Sequence, residues 1–405
     1  MSINIRILGY LFLAIIVLCS CDDQKEEDFN NTILKESLFL NLNIKTSSES
    51  ATRADADGYN DDELEEGSFQ ENYIDIENND FHIVLFNSSG DFITEIWGDE
   101  IDNKTENNND ASHLLEILLK NEKLIGFPKD FRTEEFTVLV LANWKSFTGK
   151  GGYVSFAGKN IKDGLTDNIW TDNDFYNFEY HLDSEESWYP SIRENSRRLI
   201  PMMGMGKFTG FSISPVNGIP VANVTVMMLR SLAKITLSLN DVLWKNGFEI
   251  SHCQLNKIAS KGKILPDMSH EDNTLESDGT IHIGYPWDTK EIEKIGPVSF
   301  IKIQEEGKKP ILTAYVPEML TSDYDTSSED RPYLTTNLKL NNENFFEEDK
   351  IIELNENQNS STKLFHILRN HHYNFVIERI SDTGKIVFSY TVCPWDESNV
   401  NIGFH

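Results

Sequence analysis

The sequence predicts an all-β chain, two β-sandwich domains in tandem with few short helices, and three observations carry that expectation. Clusters of asparagine, aspartate, serine and glycine recur at short intervals between runs of alternating or β-branched residues, the pattern of sandwiches built from many short strands. The 405 residues, less an exported leader, suffice for two domains of ordinary size with apolar and aromatic material for two cores. Between the two, Ile200 to Pro220 is rich in glycine, proline and serine and marks the join.

The leader comes first. Arg6 precedes an almost wholly apolar run from Ile7 through Leu18, which ends in Leu18-Cys19-Ser20-Cys21 followed at once by Asp22-Asp23. That is a secretory signal of residues 1–20 with a lipobox, too short and wrongly flanked for a spanning helix. A lipoprotein signal peptidase cutting before Cys21 leaves it to carry diacylglycerol on its thioether, so Cys21 is the lipidation residue and the precursor is an outer membrane lipoprotein. The acidic, lysine-containing Asp22 to Asp28 resembles the surface-export signals of Bacteroidetes lipoproteins, which implies the cell surface.

Residues 21–53 read as a propeptide with a removable first strand. Leu38, Leu40, Leu42 and Ile44 alternate with polar or aromatic residues, which puts them on one face of a half-buried strand. Lys45 to Ala51 is small and polar, Thr52-Arg53-Ala54 follows, and Asp55 to Glu66 is an acidic run. An arginine between small residues in such a stretch suits an arginine-specific protease cutting between Arg53 and Ala54. Spacing alone leaves two readings open, a strand made to be removed or the ordinary first strand of a monomeric sandwich with an uncut loop.

The N-terminal domain is placed at 54–219 and the C-terminal domain at 220–405. Strands are expected at Phe81 to Asn87, Phe136 to Ala142, Val221 to Met228, Ala233 to Leu239, Ile311 to Val316, Tyr373 to Ile380 and Lys385 to Val392. Asp382-Thr383-Gly384 joins the last two as a hairpin. One helix is expected at about Asp110 to Asn121, where Leu114, Leu115, Leu118 and Leu119 recur at helical spacing. At the far end Val400, Ile402 and Phe404 alternate with Asn399, Asn401 and Gly403. This second alternating strand has no turn after it, and with a removable strand at the other terminus it suggests strand exchange between chains.

Composition excludes several classes. A formal net charge of −30, from 66 acidic and 36 basic residues, repels polyphosphates and argues against nucleic acid. Beyond the leader only Cys253 and Cys393 remain, so disulfides do not build the fold. Two small buried thiols is the plainer reading of them, and pairing stays open. His371-His372 opens a strand, where neighbouring side chains point to opposite faces, so the pair does not grip one metal. Asp55 to Asp61 fails as a calcium loop, since Tyr59 stands where an oxygen ligand is required and glycine falls at the fourth position. Trp144, Trp170, Trp188, Tyr189 and Trp287 are expected in cores rather than as sugar platforms. With no nucleophile elbow and no phosphate loop, no enzyme and no cofactor is expected.

A resemblance spread along the chain adds to this reading. Thr52-Arg53-Ala54, then Glu71-Asn72-Tyr73-Ile74 leading to Val84-Leu85-Phe86-Asn87 and Gly90, resembles the N-terminal domain of the fimbrillin family of Bacteroidales, the subunits of their surface pili. Further matches are Leu141-Ala142-Asn143, Ile200-Pro201-Met202-Met203-Gly204 and Leu229-Arg230-Ser231-Leu232-Ala233-Lys234-Ile235. Tyr315-Val316-Pro317-Glu318, Arg369-Asn370-His371-His372-Tyr373 and Pro394-Trp395 complete the series.

The resemblance implies two transthyretin-like sandwiches, a lipidated precursor, cleavage at Arg53-Ala54 and polymerisation with other fimbrial subunits by a donor strand. Val400, Ile402 and Phe404 would be the inserted face. The tail after Trp395 is ten residues, short if two donor strands are needed. The Arg53 site speaks against an anchor and the alternating tail favours stalk over tip. The competing class is a surface lipoprotein that binds a glycan or host ligand without polymerising.

Overall fold

A computed structural model describes residues 37–45, 71–76, 80–101, 103–106, 112–144, 152–156, 178–182, 188–190, 198–215, 218–303, 308–321, 331–354 and 366–395. Cys21, the Arg53-Ala54 bond, the acidic run 55–66, Trp170 and the tail residues Val400, Ile402 and Phe404 lie outside the described residues.

The described residues of the first half of the chain form twelve strands, in order β1 Leu38–Lys45, β2 Phe81–Phe86, β3 Phe92–Trp97, β4 Asn103–Glu106, β5 Ser112–Leu119 and β6 Glu135–Ala142, then β7 Gly152–Phe156, β8 Phe178–Leu182, β9 Met202–Thr209, β10 Ser212–Ile213, β11 Pro220–Met227 and β12 Leu229–Arg230. Two five-stranded sheets face each other, one in the order β10-β11-β1-β5-β4 and the other β12-β9-β6-β2-β3. β2 and β6 carry near-continuous apolar runs because both of their faces are covered, whereas β1 and β11 alternate buried and half-exposed residues. Gly204 and Gly206 let β9 pass close under β11: a Cβ on Gly204 would meet Val226 Cγ1 at 2.4 Å and Met227 O at 2.8 Å. Phe127, Phe131, Phe136, Phe208 and Phe211 close one end of this core in a nest of tilted and edge-on rings.

The second half runs β13 Leu232–Leu239, α1 Asp241–Lys245, β14 Phe248–Asn256, β15 Ile258–Ala259, β16 Lys261–Lys263, β17 Asn273–Leu275, β18 Ile281–Ile283, β19 Lys294–Ile295 and β20 Val298–Ser299, then β21 Ile301–Ile303, β22 Ile311–Pro317, β23 Tyr333–Leu340, β24 Glu343–Asn344, β25 Lys350–Glu353, β26 His371–Ile380 and β27 Ile386–Pro394. The sheet β21-β22-β13-β26-β27 covers a sheet of β20, β14, β23 and β24, with β25 also on β23. Between them lies a second core that includes Ile235, Leu237, Leu255, Leu338, Tyr373 and Phe375. The expected hairpin is present: Gly384 N donates to Ser381 O at 2.8 Å, and Gly384 takes a φ of 73°, the left-handed value that suits glycine. Asn240 caps α1 by accepting from Leu243 N at 2.9 Å.

Two expectations change. The segment read as a helix is the strand β5, in which Leu115, Ile117 and Leu119 are buried while Leu114 and Glu116 are exposed. A pairing partner far away in the sequence, β1, fixes period two where the leucine spacing fitted 3.6. The strand after the glycine-rich join, β11, still belongs to the first sandwich because it is hydrogen-bonded along β1. The first core runs on past 219/220 to Leu232 and the second begins at Ala233, although Ile264, Leu265, Ile281, Ile283 and Tyr315 also pack into the first.

Cys253 and Cys393 are both buried, and burial pushes the Cys253 thiol well above its usual value. Of the aromatics expected in cores, Trp144 and Trp188 are buried, whereas Tyr189 and Trp287 are half-buried.

Candidate functional site

The functional element singled out by sequence, the alternating strand with Leu38, Leu40, Leu42 and Ile44, is the middle strand of its sheet. β1 runs parallel to β11 on one side and antiparallel to β5 on the other. Sequence reasoning found β1 and the strand of one wall, β11, but assigned that wall to the second domain and misread the other, β5, as a helix.

The register explains the burial. Leu40 lies between Ala222 and Ile117, Leu42 between Val224 and Leu115, and Ile44 between Val226 and His113, while Leu38 faces Leu119. All four β1 side chains are 0 % exposed and the flanking residues are buried with them. Three rows, one per strand and apolar except for His113, thus present a continuous surface to the opposite sheet. Burying a large aliphatic side chain is worth about 1.5–3 kcal/mol, so the inner face of β1 supplies roughly 6–12 kcal/mol against an extended-chain reference.

The outer face is polar and different in kind. Asn41 Nδ2 donates to Asn223 Oδ1 at 2.9 Å, and Phe39, Asn43 and Lys45 are half-buried. At the C-terminal end of the strand Met228 N donates to Lys45 O at 2.6 Å. Without β1, the facing edges of β11 and β5 would stand roughly 10 Å apart, two inter-strand spacings, with unpaired amides and carbonyls on both sides of an apolar floor. Such a slot accepts one strand. It fixes polarity, parallel to β11 and antiparallel to β5, and it demands apolar residues at alternate positions.

His371 and His372 are neighbours on β26 with separate partners: His371 Nδ1 lies 2.8 Å from Arg369 O, and His372 Nε2 lies 2.8 Å from Thr236 Oγ1. Burial, reinforced by the nearby Lys234, lowers His372 to a pKa of about 4. Asn143 is buried in a left-handed conformation and pins three passing segments, accepting from Asp75 N at 3.0 Å and donating to Tyr73 O at 2.6 Å and Ile200 O at 3.0 Å.

No protein-family model matches the chain, and no curated protein sequence matches it. Solved structures do. The fimbrial assembly protein from Parabacteroides distasonis is 14% identical over 88% of this chain and 99% of its own, with a TM-score of 0.44. The fimbrial anchor protein Mfa2 from Porphyromonas gingivalis is 9% identical over 89% of this chain and 98% of its own, with a TM-score of 0.35. The tip fimbrial protein Mfa3 from Porphyromonas gingivalis, with a C-terminal truncation, is 13% identical over 89% of this chain and 100% of its own, with a TM-score of 0.52. The all-β, two-sandwich fold expected from the sequence is therefore the fold found, and the chain shares it with the tip fimbrial protein of Porphyromonas gingivalis.

Proposed function

We propose that the chain is a structural subunit of a cell-surface fimbria, delivered as a lipoprotein and admitted to the polymer by exchange of its first strand. The precursor carries lipid on Cys21 and travels to the outer membrane. Cleavage between Arg53 and Ala54 by an arginine-specific protease breaks the covalent link of the lipid and β1 to the body, so that β1 can be displaced. The slot between β11 and β5 then takes a strand of a neighbouring subunit, in the polarity of β1. Val400, Ile402 and Phe404 supply the alternating apolar face of that donor. The subunit belongs to the stalk before the tip, because its tail has the alternation a donor requires. The reading gives the protein no catalytic role.

The observation that carries this reading is the position of β1. A first strand could have lain at a sheet edge, where its loss would cost one ladder; this one is central, and its loss opens two ladders and a core at once. N-terminal sequencing of the protein taken from the cell surface tests it. A mature chain beginning at Ala54 is expected. One beginning at the lipidated Cys21 overturns the stalk reading in favour of an anchor or a monomeric surface binder.

A further inference from the structure

Where the two sandwiches meet, a single carboxylate gathers groups from opposite ends of the chain. Glu71 opens the first described segment after the stretch that contains Arg53, and its side chain is 12% exposed. Its Oε1 accepts from Lys234 Nζ at 2.7 Å and from the Tyr315 hydroxyl; its Oε2 accepts from Trp395 Nε1 at 2.8 Å. Trp395 is the last described residue before the tail.

Further contacts hold the same tryptophan. Its ring stacks on Tyr315 with centroids 5.7 Å apart and planes 22° apart, and the Arg230 guanidinium sits 4.9 Å from the ring centre. The Trp395 amide donates to Asn370 O at 2.8 Å. Arg230 in turn donates to Glu71 O at 3.1 Å, to Asn370 Oδ1 at 2.9 Å and to Asn72 Oδ1. Arg230 lies on β12 of the first sandwich, while Lys234 and Tyr315 lie on β13 and β22 of the second. Burial alone would raise the Glu71 pKa; the ion pair with Lys234 and the hydrogen bonds from Lys234, Tyr315 and Trp395 outweigh it and hold the carboxylate below its ordinary value.

We propose that Glu71 is a positioning residue that fastens the root of the C-terminal tail: it fixes the place of Trp395, after which the tail begins. Both sandwiches contribute to the fastening, so Trp395 is held to the first sandwich, which carries the slot, as well as to the second. A donor segment that leaves from a fixed root loses less freedom when it binds elsewhere. The consequence for assembly rests on the donor-strand reading above; the fastening itself does not.

The test uses the full chain with two substitutions made separately. Glu71→Gln removes the charge facing Lys234, and Trp395→Phe keeps the ring stack but removes the indole donor. Native-state hydrogen exchange at the amides of residues 393 and 395 is expected to run about tenfold faster in both, the loss of a hydrogen bond to a charged group, with β1 and β13 unchanged. If Glu71→Gln does not fold, Trp395→Phe decides alone. Exchange at the wild-type rate overturns the fastening. A second arm follows polymer growth after cleavage at Arg53, alongside binding of a synthetic peptide of residues 37–46 to the emptied slot. Slower growth with unchanged peptide binding is the expected result. A loosened root with polymers growing at the wild-type rate leaves the fastening intact and sinks the donor role of the tail.

Discussion

The carbonyl oxygen of Lys45, at the end of β1, accepts from Met228 N at 2.6 Å, two residues before Arg230 turns into the junction between the sandwiches. The first strand is thus held along its whole length, to the point where the second sandwich begins. A cut at Arg53 breaks the chain outside this ladder and removes none of its hydrogen bonds. The nicked protein is therefore expected to keep residues 21–53 as a bound fragment until another strand displaces it. Native mass spectrometry after limited cleavage should show the fragment with the body; immediate loss of the fragment from a body that stays folded would refute this.

The two faces of β1 should respond differently to truncation. Leu40→Ala or Leu42→Ala in the uncut chain removes a side chain that is 0 % exposed and should cost about 2–5 kcal/mol by chemical denaturation. Asn41→Ala, on the outer face, loses a single hydrogen bond to Asn223 and should cost about 1 kcal/mol. Equal costs on the two faces would mean that the inner row does not carry the strand.

Gly204 offers an independent probe of the slot's floor. A methyl group there meets Val226 Cγ1 and the Met227 carbonyl, and the backbone cannot step aside without moving β11 away from β9. Gly204→Ala should destabilise the uncut chain by about 1–3 kcal/mol and weaken binding of the 37–46 peptide to the nicked, emptied form. Wild-type stability and peptide affinity together would show that β9 and β11 tolerate a wider spacing.

Inside the second sandwich's boundary, Arg369 is 0 % exposed and pairs through two of its nitrogens with Glu318, at 3.0 Å for Nε to Oε2. Nη1 also donates to the carbonyl of Ile264, and Nη2 to those of Lys263 and Leu265, which holds that segment against the junction. Glu318→Gln leaves a buried guanidinium without its counter-charge and should cost about 3–5 kcal/mol. Replacing both partners, Arg369→Met with Glu318→Leu, should cost less than Glu318→Gln alone, apart from the freed carbonyls of the loop. A single substitution milder than the double one would show that the pair is not charge-compensating in the sense drawn here.

What was legible in the sequence was local. The alternation at Leu38, Leu40, Leu42 and Ile44 marked β1, and the apolar runs marked β2, β6, β13 and β22, because each carries its own period. Period failed at β5, where adjacent pairs of leucines satisfy a helix as well as a strand and only the pairing with β1 decides. The join failed for a similar reason: Ile200 to Pro220 has linker composition, yet β11 beyond it closes the first sandwich. The Glu71 to Trp395 contact spans 324 residues of sequence and leaves no local trace at all.

Acid should loosen the sheet that carries β13 and β26, and His372 gives the sign. Lys234 is its register partner on β13 and is ion-paired with Glu71; burial and the lysine lower the histidine to about 4, while Glu71 works weakly against them. The folded chain therefore keeps the ring neutral at a pH where the unfolded chain, near the ordinary 6.5, already takes up a proton. Stability from this site is complete above pH 6.5 and is lost as pH falls toward 4, by about 3 kcal/mol in all. His372→Gln keeps a polar group near Thr236 and cannot titrate. The stability difference between the wild type and this variant, followed by urea denaturation from pH 7 to pH 4, should shift against the wild type by about that amount, since titrating groups not coupled to His372 cancel in the difference. A pH-independent difference would show that the ring is protonated in the folded sheet or that its burial does not persist in solution.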